Sequence, residues 1–398
     1  MSNYLTRLHI KNFRSLENVT IDPKPLNVLF GPNGAGKSTF LDAIWFVRDC
    51  AKRGVDDAAS KRSHGIGVLW DWAENDDPIE IVIETGAARY SVTFGFSSGR
   101  IEPFVGEKLM EKATGRLLID RIIGSDKVRF FHQKMNGYVQ VQLREPEKLA
   151  FTRYVDLEEN TPRAAYDLDR LLHFVHFYHS REINLYGIRK YGSESSFQTF
   201  LWERGENLWS VLRNIYGRRV IDERYDTIIH FMRQSFPSFD ELYLEQTGPS
   251  SVYGEFIEKN RRQRIQASGV SDGHLQMLIH LTALFSEGAD RDSLILFDEP
   301  ETSLHPYAIS IFAKAVKLAV ERWNKQIFIA THSPVLLSQF DPANILAVEI
   351  GQKGETKMRW GNEISEVRDL LEDYAAGALY MAELIAPQSK RFLEEPVA

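Results

Sequence analysis

The chain has 398 residues, 43% of them hydrophobic and 26% charged, which is typical of a globular protein with a sizeable core and roughly two or three domains' worth of chain. Its formal net charge of −7 excludes a protein that is basic as a whole, so any contact with nucleic acid must come from a local patch. The single cysteine, Cys50, excludes an internal disulfide, and no apolar run approaches about 18 residues, so we expect a cytoplasmic protein that does not cross a membrane.

The first 50 residues predict two strands, a third apolar strand at 26–30 and a helix that begins at Lys37. Between that third strand and the helix, residues 31–39 read Gly-Pro-Asn-Gly-Ala-Gly-Lys-Ser-Thr, which is the phosphate-binding pattern G-x-x-x-x-G-K-S. An ordinary glycine-rich turn can match this pattern by chance. The strand before it and the helix after it favour the phosphate-binding interpretation.

Such a loop binds phosphate through successive backbone N–H groups, and its glycines let the backbone come close to the ligand. Lys37 is expected to reach the β- and γ-phosphates, and the Ser38 hydroxyl is expected to bind Mg²⁺. The predicted ligand-binding residues of the loop are Asn33, Gly34, Ala35, Gly36, Lys37, Ser38 and Thr39.

The middle of the chain changes character several times. Strand-like segments occur at 79–84, 90–95, 128–131 and 138–141, residues 160–236 are mostly helical in pattern, and residues 240–257 return to strand. Between residues 100 and 265 no heptad pattern persists over three or four repeats, so we expect a compact helical lobe rather than a long coiled-coil arm.

An alternation of helix and strand resumes at about residue 265, and one of these strands, 293–298, ends in two adjacent carboxylates. Asp298 is expected to bind Mg²⁺, while Glu299 is expected to orient or deprotonate the attacking water. A strand-end turn capped by acidic residues would look similar, but the distant phosphate loop favours the catalytic interpretation.

A further apolar strand at 325–330 is followed by Thr331 and His332. A lone histidine is usually structural or merely exposed. Because this one follows the strand next in sequence after the carboxylates, we expect His332 to detect the γ-phosphate.

Four of these segments together resemble a known family: residues 5–15, the phosphate loop, 296–306 and 331–334. They are similar to ABC-type ATPases of the RecF/SMC group, and more narrowly to stand-alone AAA family ATPases of bacterial defence and overcoming-lysogenization systems. The resemblance implies an α/β fold, namely a P-loop NTPase of the ABC-ATPase head type with a mixed sheet, interrupted by a mainly helical insertion. It divides the chain into a first half of the head at 1–155, the insertion at 156–238 and the second half at 239–398.

The resemblance also implies ATP and Mg²⁺ as cofactors and a homodimer or higher oligomer that forms around ATP. Residues 267–276 match the signature segment that binds ATP on a neighbouring subunit, so Ser271 and Gly273 are predicted to act in trans. Asp272 and His274 depart from the common form of that segment. A helix N-cap is the simpler interpretation of Ser271. Residues 303–306 match a loop that contacts the dimer mate.

Arg14 resembles an arginine near the N-terminus that approaches the nucleotide in related heads, although a solvated turn would equally explain it. The glutamine-type switch residue of such heads has no assigned position here, and several residues between 63 and 72 are candidates.

Three short basic runs, at 189–191, 216–219 and 259–264, leave nucleic acid open as a partner. Most such runs are merely solvated. Two arginine–histidine pairs, 170/176 and 224/230, resemble a spacing used by some RNases, but such pairs arise easily by chance and we do not favour that reading.

After the strand predicted at 345–350, about fifty residues remain, with a probable helix at 363–374. A nuclease domain of roughly 100 residues would not fit there, so any effector enzyme is expected to be a separate chain.

The sequence therefore predicts an ATPase that acts as sensor or regulator of a separately encoded effector, a nuclease among the candidates, in a bacterial anti-phage system. The alternative is a RecF-like DNA repair or maintenance ATPase that clamps DNA. A third interpretation, an ATP-gated scaffold with negligible turnover, is separated from both by measuring phosphate release.

Overall fold

The computed structural model describes residues 4–65, 67–74, 77–97, 99–157, 161–247, 250–287 and 292–364. In the N-terminal part the strands are β1 Arg7–Phe13, β2 Leu16–Ile21, β3 Leu26–Phe30, β4 Ile79–Glu84, β5 Ala88–Phe94, β6 Phe96–Ser97, β7 Arg100–Ile101, β8 Gly106–Glu111, β9 Arg116–Arg121, β10 Lys127–His132 and β11 Gly137–Gln142. In the remainder they are β12 Val175–His179, β13 Ser193–Glu194, β14 Phe239–Gln246, β15 Ser251–Glu258, β16 Ile265–Gln266, β17 Ser293–Asp298, β18 Lys325–Thr331, β19 Ile345–Ile350 and β20 Thr356–Trp360.

The helices of the described residues are α1 Lys37–Arg53, α2 Val55–Ser60, α3 Ala150–Leu157, α4 Arg163–His173, α5 Leu185–Lys190, α6 Leu208–Tyr216, α7 Arg224–Ser235, α8 Asp272–Phe285, α9 Pro306–Arg322 and α10 Pro334–Leu337. The longest of them, α1 and α9, have 17 residues each. No coiled-coil arm therefore extends from the described part of the chain, as the absence of heptads predicted.

β3, which leads into the phosphate loop, and β17, which ends at Asp298, belong to one six-stranded sheet with the order β12-β17-β18-β3-β19-β20. Its strands are parallel except for β20, which runs antiparallel to β19. Every residue of β3, β17 and β18 is buried, as expected for central strands with both faces covered. The parallel arrangement brings the carboxyl ends of these strands to one edge, where α/β proteins bind ligands.

A second sheet of eight strands has the order β11-β10-β9-β8-β5-β4-β1-β2, and its neighbouring strands are antiparallel. Buried residues alternate with more exposed ones along β5, as in a sheet that packs on one face only. A smaller sheet joins β13, β15 and β14, with β16 beside β15. The mixed-sheet α/β fold predicted from the sequence is confirmed.

The parallel sheet separates two hydrophobic cores, and successive residues of β3 show this directly. Val28 belongs to one core and Leu29 to the other, because neighbouring side chains of a strand point to opposite faces. On one side lie α1, α3, α4 and the eight-stranded sheet. On the other side lie α6 to α10 and the smaller sheet.

The segment predicted as one helical lobe does not form a separate lobe. It contains β12, which lies at the edge of the parallel sheet beside β17, and its helices divide between the two cores: α4 packs in one, and α6 and α7 pack in the other. His176 and His179 interrupt the apolar pattern of this five-residue strand, which explains why periodicity did not reveal it. The division of the chain into domains at residues 155 and 238 stays a prediction.

Among the described residues, no helix is long and apolar enough to cross a membrane. The helix predicted at 363–374 lies almost wholly beyond residue 364 and so outside the described residues.

Candidate functional site

The phosphate loop joins the end of β3 to the start of α1, and Gly36 is a tightly constrained position within it. Gly36 has a φ of 100°, a left-handed conformation that glycine adopts without strain. A Cβ at this position would clash with the Thr356 hydroxyl and lie 2.8 Å from Ser15 Oγ. Thr356 also donates a hydrogen bond of 2.8 Å to the Ala35 carbonyl, so β20 supports the loop from behind.

Lys37 is 4% exposed and its ammonium group lies inside the loop. Its Nζ donates hydrogen bonds to the carbonyls of Gly31 at 2.8 Å and Pro32 at 2.9 Å. Burial lowers the pKa of Lys37 to about 8, although the nearby carboxylates Asp298 and Glu299 act in the opposite direction. A phosphate group at this position would add a further negative charge beside the ammonium group and so favour its charged form.

Asp298 ends β17 and is 2% exposed. Burial raises the pKa of its carboxyl group, while a hydrogen bond from the Ser38 hydroxyl and the imidazole of His179 act to lower it. Among the described residues, Asp298 Oδ2 has no hydrogen-bond partner, and His179 Nε2 lies 3.7 Å from it.

The oxygens of Ser38 and Asp298 fit Mg²⁺, which prefers oxygen ligands and usually takes only one or two carboxylates from a protein, with phosphates and waters completing its shell. The described part of the chain contains no group of three or more His, Cys, Asp or Glu residues that could hold a metal ion.

Glu299 follows directly in a left-handed backbone conformation with a φ of 52°, which turns the chain sharply at the strand end. Its N–H donates to the Ala330 carbonyl at 2.8 Å, so β18 supports this turn. Its carboxylate lies between a guanidinium and an imidazole. Arg181 Nη2 is 2.7 Å from Oε2, and His332 Nε2 is 3.8 Å from Oε1.

His332 lies between the two halves of the site. Its Nδ1 is 3.5 Å from Lys37 Nζ, and its Nε2 faces Glu299. Burial lowers the pKa of His332, and the charge of Lys37 adds to that effect. The imidazole is therefore neutral near pH 7 and retains both a donor and an acceptor nitrogen. The structure thus brings Lys37 and Ser38 together with Asp298, Glu299 and His332, which follow them in the sequence by 260 to 295 residues.

Three further residues of this edge were not predicted. Glu301 accepts hydrogen bonds from the Thr331 hydroxyl at 2.7 Å and from the His332 N–H at 3.0 Å, and so fixes the backbone that carries the histidine. It lies within the family-like segment 296–306, but nothing in that pattern showed its target. His179 ends β12 and Arg181 follows it by two residues, in the part of the chain, 160–236, whose pattern is mostly helical.

Arg14 lies beside the loop, in the turn between β1 and β2. Its φ is 49°, and its guanidinium forms an ion pair of 3.1 Å with Asp42 on α1. The adjacent Ser15 hydroxyl is 2.8 Å from the Thr356 hydroxyl, which supports the loop. A contact between Arg14 and a nucleotide stays a prediction.

Ser271 and Gly273 lie at the start of α8. Ser271 is exposed, and its hydroxyl is 2.8 Å from His274 Nδ1. Gly273 packs against the loop that follows the carboxylates, because a Cβ there would lie 2.7 Å from the Ser303 carbonyl oxygen. The two segments predicted to contact a dimer mate, the signature and residues 303–306, are therefore neighbours on one surface. Their action in trans stays a prediction.

Comparison with known proteins places the chain in a family. The family model described as "AAA domain, putative AbiEii toxin, Type IV TA system" matches residues 26–338, which include the phosphate loop, both carboxylates and His332. Over 336 residues the chain is 22% identical to an OLD nuclease of Thermus scotoductus, covering 83% of this chain and 59% of the nuclease. Over 44 residues it is 48% identical to the DNA replication and repair protein RecF of Shewanella halifaxensis, covering 11% of this chain and 12% of that protein.

The chain thus spans about three fifths or less of the length of these relatives. Among solved structures, a crystal structure of an Smc head bound to the C-winged helix domain of ScpA matches with a TM-score of 0.51 and 14% identity, covering 89% of this chain and 97% of that chain. This match confirms the predicted fold of an ABC-type ATPase head.

Proposed function

Because the chain belongs to the family of AAA-domain proteins whose model matches residues 26–338, we propose that it binds and hydrolyses ATP with Mg²⁺ in a dimer that encloses two nucleotides. One observation carries this proposal: Lys37, His332 and Glu299 lie in a row, with 3.5 Å between the first two and 3.8 Å between the last two. Three separate strands deliver a phosphate-binding cation, a neutral imidazole and a carboxylate to one place.

Within one copy, the backbone of residues 33–39 and Lys37 hold the phosphates. Ser38 and Asp298 hold Mg²⁺, which when bound stabilises the charge that develops on the transferred phosphoryl group. Glu299 orients the attacking water and accepts its proton, since it is the partly exposed member of the acidic pair. His332 contacts the γ-phosphate and couples its presence to Glu299.

A second copy completes each site. We propose that Ser271 and the backbone N–H groups at the start of α8, including that of Gly273, bind the γ-phosphate of the facing copy, where the helix dipole favours negative charge. The loss of one preorganised donor typically costs about 3 to 4 kcal/mol of transition-state stabilisation, so a single copy would hydrolyse ATP slowly. ATP then favours the closed dimer, and hydrolysis releases it.

We further propose that this ATP-driven closure regulates a separately encoded effector in a bacterial anti-phage system. Two similarities support this role: the family description names a toxin of a toxin–antitoxin system, and one relative is an OLD nuclease. A nuclease is therefore the first effector to examine.

The alternative is a RecF-like ATPase of DNA repair or maintenance that clamps DNA. The exposed side chains of Arg261 and Arg262 favour it, because they lie in a loop close to the start of the signature segment. Against it, the match to RecF extends over only 44 residues.

Phosphate release from ATP and co-purification test these proposals together. Wild-type protein should release phosphate with Mg²⁺, whereas Lys37→Ala should neither bind ATP nor turn it over. Products of neighbouring genes should co-purify with wild-type protein in an ATP-dependent way and should be lost from Lys37→Ala. ATP-dependent binding of DNA by the isolated protein, without such a partner, would support the RecF-like alternative. ATP binding without phosphate release would leave only the scaffold interpretation.

A further inference from the structure

The end of β12 lies beside the end of β17, the strand that ends at Asp298. β12 pairs with β17 in parallel so that His179 is opposite Asp298, and the next two residues continue past the strand end. Arg181 Nη2 then lies 2.7 Å from Glu299 Oε2, a distance typical of a charge-assisted hydrogen bond. Neither the phosphate-loop pattern nor the carboxylate pattern points to this arginine.

Hydrogen bonds from the backbone of residues 180 and 181 hold the segment that presents Arg181. The Ser180 N–H donates to the Asp298 carbonyl at 3.1 Å, which extends the pairing of the two strands by one residue. The Arg181 N–H donates to His179 Nδ1 at 3.3 Å, which leaves His179 Nε2 as the protonated nitrogen that faces Asp298. One short segment therefore contacts both carboxylates of the acidic pair.

The Arg181–Glu299 contact contributes little to folding. The Arg181 side chain is 70% exposed, and ion pairs at such exposed positions add little to the free energy of unfolding because solvent screens them. Its effect on Glu299 is geometric. The backbone of Glu299 is fixed by Ala330, but the side chain has further torsions, and Arg181 binds one carboxylate oxygen while the other faces His332.

We propose that Arg181 is a positioning residue for Glu299: it holds Oε2 so that Oε1 is directed toward His332 and the γ-phosphate. This inference rests on the proposed ATPase function. Arg181 acts through Glu299, so its loss should affect the rate of the chemical step rather than the binding of ATP.

Steady-state and single-turnover hydrolysis of ATP by four proteins test this: wild type, Arg181→Ala, Glu299→Gln and the double variant. Arg181→Ala should lower kcat by about 10-fold to 100-fold, as expected when a catalytic group loses its orientation, with KM within about twofold of wild type. In the Glu299→Gln background, the same substitution should cause no further loss. Arg181→Lys, which keeps the charge, should recover part of the activity.

Arg129→Ala is the matched control, because Arg129 is similarly exposed and pairs with Asp120 at 3.1 Å on β10 and β9 of the other sheet. It should leave kcat unchanged. An Arg181→Ala protein as fast as wild type would overturn the inference, as would an equal loss in the Glu299→Gln background or a rise in KM at unchanged kcat. In those cases wild-type turnover and its loss in Glu299→Gln would still support the proposed function, whereas a wild type that fails to bind ATP would overturn both.

Discussion

At the scale of single residues, the central feature of the site is an imidazole between a cation and a carboxylate. His332 is near both Lys37 and Glu299, and burial together with the charge of Lys37 lowers its pKa. A neutral ring can donate to a phosphate oxygen on one side and accept a hydrogen bond on the other. Glu301 accepts a hydrogen bond from the His332 N–H, so the backbone from which the ring extends is held in place.

His332→Ala should therefore slow ATP hydrolysis by about 100-fold to 1,000-fold, the scale of one lost transition-state hydrogen bond, while ATP affinity changes little. Phosphate release and equilibrium binding of a fluorescent ATP analogue measure the two quantities separately. Equal losses in both would contradict the role assigned to His332.

The residues that could be predicted from the sequence are those whose chemistry requires a contiguous pattern. Lys37 and Ser38 stand in a loop that needs its glycines, and Asp298 and Glu299 end an apolar strand, so local context was enough. Arg181 could not be predicted in this way, because its role depends on which strand lies beside β17.

At the scale of secondary-structure elements, α8 carries two separate constraints. Its first turn packs against the loop at Ser303, where only a glycine at position 273 fits, and its middle is buried in the core. The start of the helix therefore defines the surface predicted to meet a second copy, and the middle anchors that surface to the head.

Gly273→Ala should force the start of α8 away from Ser303, because a Cβ would lie 2.7 Å from a backbone oxygen. We expect ATP binding by the single copy to stay within about twofold of wild type, but ATP-linked dimerisation and hydrolysis to fall by about 100-fold or more, the scale of one lost donor. Gly217→Ala, at the end of α6, is the control, since its nearest neighbours would lie at 3.5 Å. Normal dimerisation of Gly273→Ala would contradict the proposed trans contact.

The middle of α8 predicts a pH dependence of stability. His280 is fully buried between Phe297 and Phe312, and burial lowers its pKa to about 3. The unfolded chain takes up a proton near pH 6.5 and the folded chain does not, so the free energy of unfolding falls as the pH drops below 6.5. Between pH 7 and pH 5 this residue should cost about 2 kcal/mol.

Urea unfolding at pH 7 and pH 5 should show that His280→Leu loses less stability on acidification than wild type by about that amount. Although burial acts to raise it, the neighbouring His176 lowers the pKa of the Glu287 carboxyl group to about 2, so Glu287 contributes its own loss only below about pH 4.5, outside this window. The exposed His230→Leu replaces the same residue type outside the core as a control. Equal losses in wild type and His280→Leu would contradict the argument.

The elements themselves were predictable where the pattern was long or apolar. The strands at 26–30 and 79–84 and the helix from Lys37 have the predicted bounds. β12 was missed because a five-residue strand containing two histidines, directly after α4, has no periodic signal of its own. Its pairing with β17, which the sequence does not show, is what identifies it as a strand of the parallel sheet.

At the scale of the whole molecule, the site exists because distant segments share one sheet. β3 comes from the first part of the chain, β12 from the middle, and β17 and β18 from the last part, yet they are neighbours in the order β12-β17-β18-β3. The two hydrophobic cores on either side bind these strands together. The segment between the two halves of the head is thus part of the head, which the sequence alone did not show.

Sedimentation velocity of Glu299→Gln with saturating ATP and Mg²⁺ tests the central claim most directly. This variant should bind ATP and hydrolyse it far more slowly than wild type, so the closed state should accumulate as a dimer with about twice the chain mass of 45.7 kDa. Adding Lys37→Ala to it should return the protein to a monomer. A Glu299→Gln protein that binds ATP but stays monomeric would contradict the account.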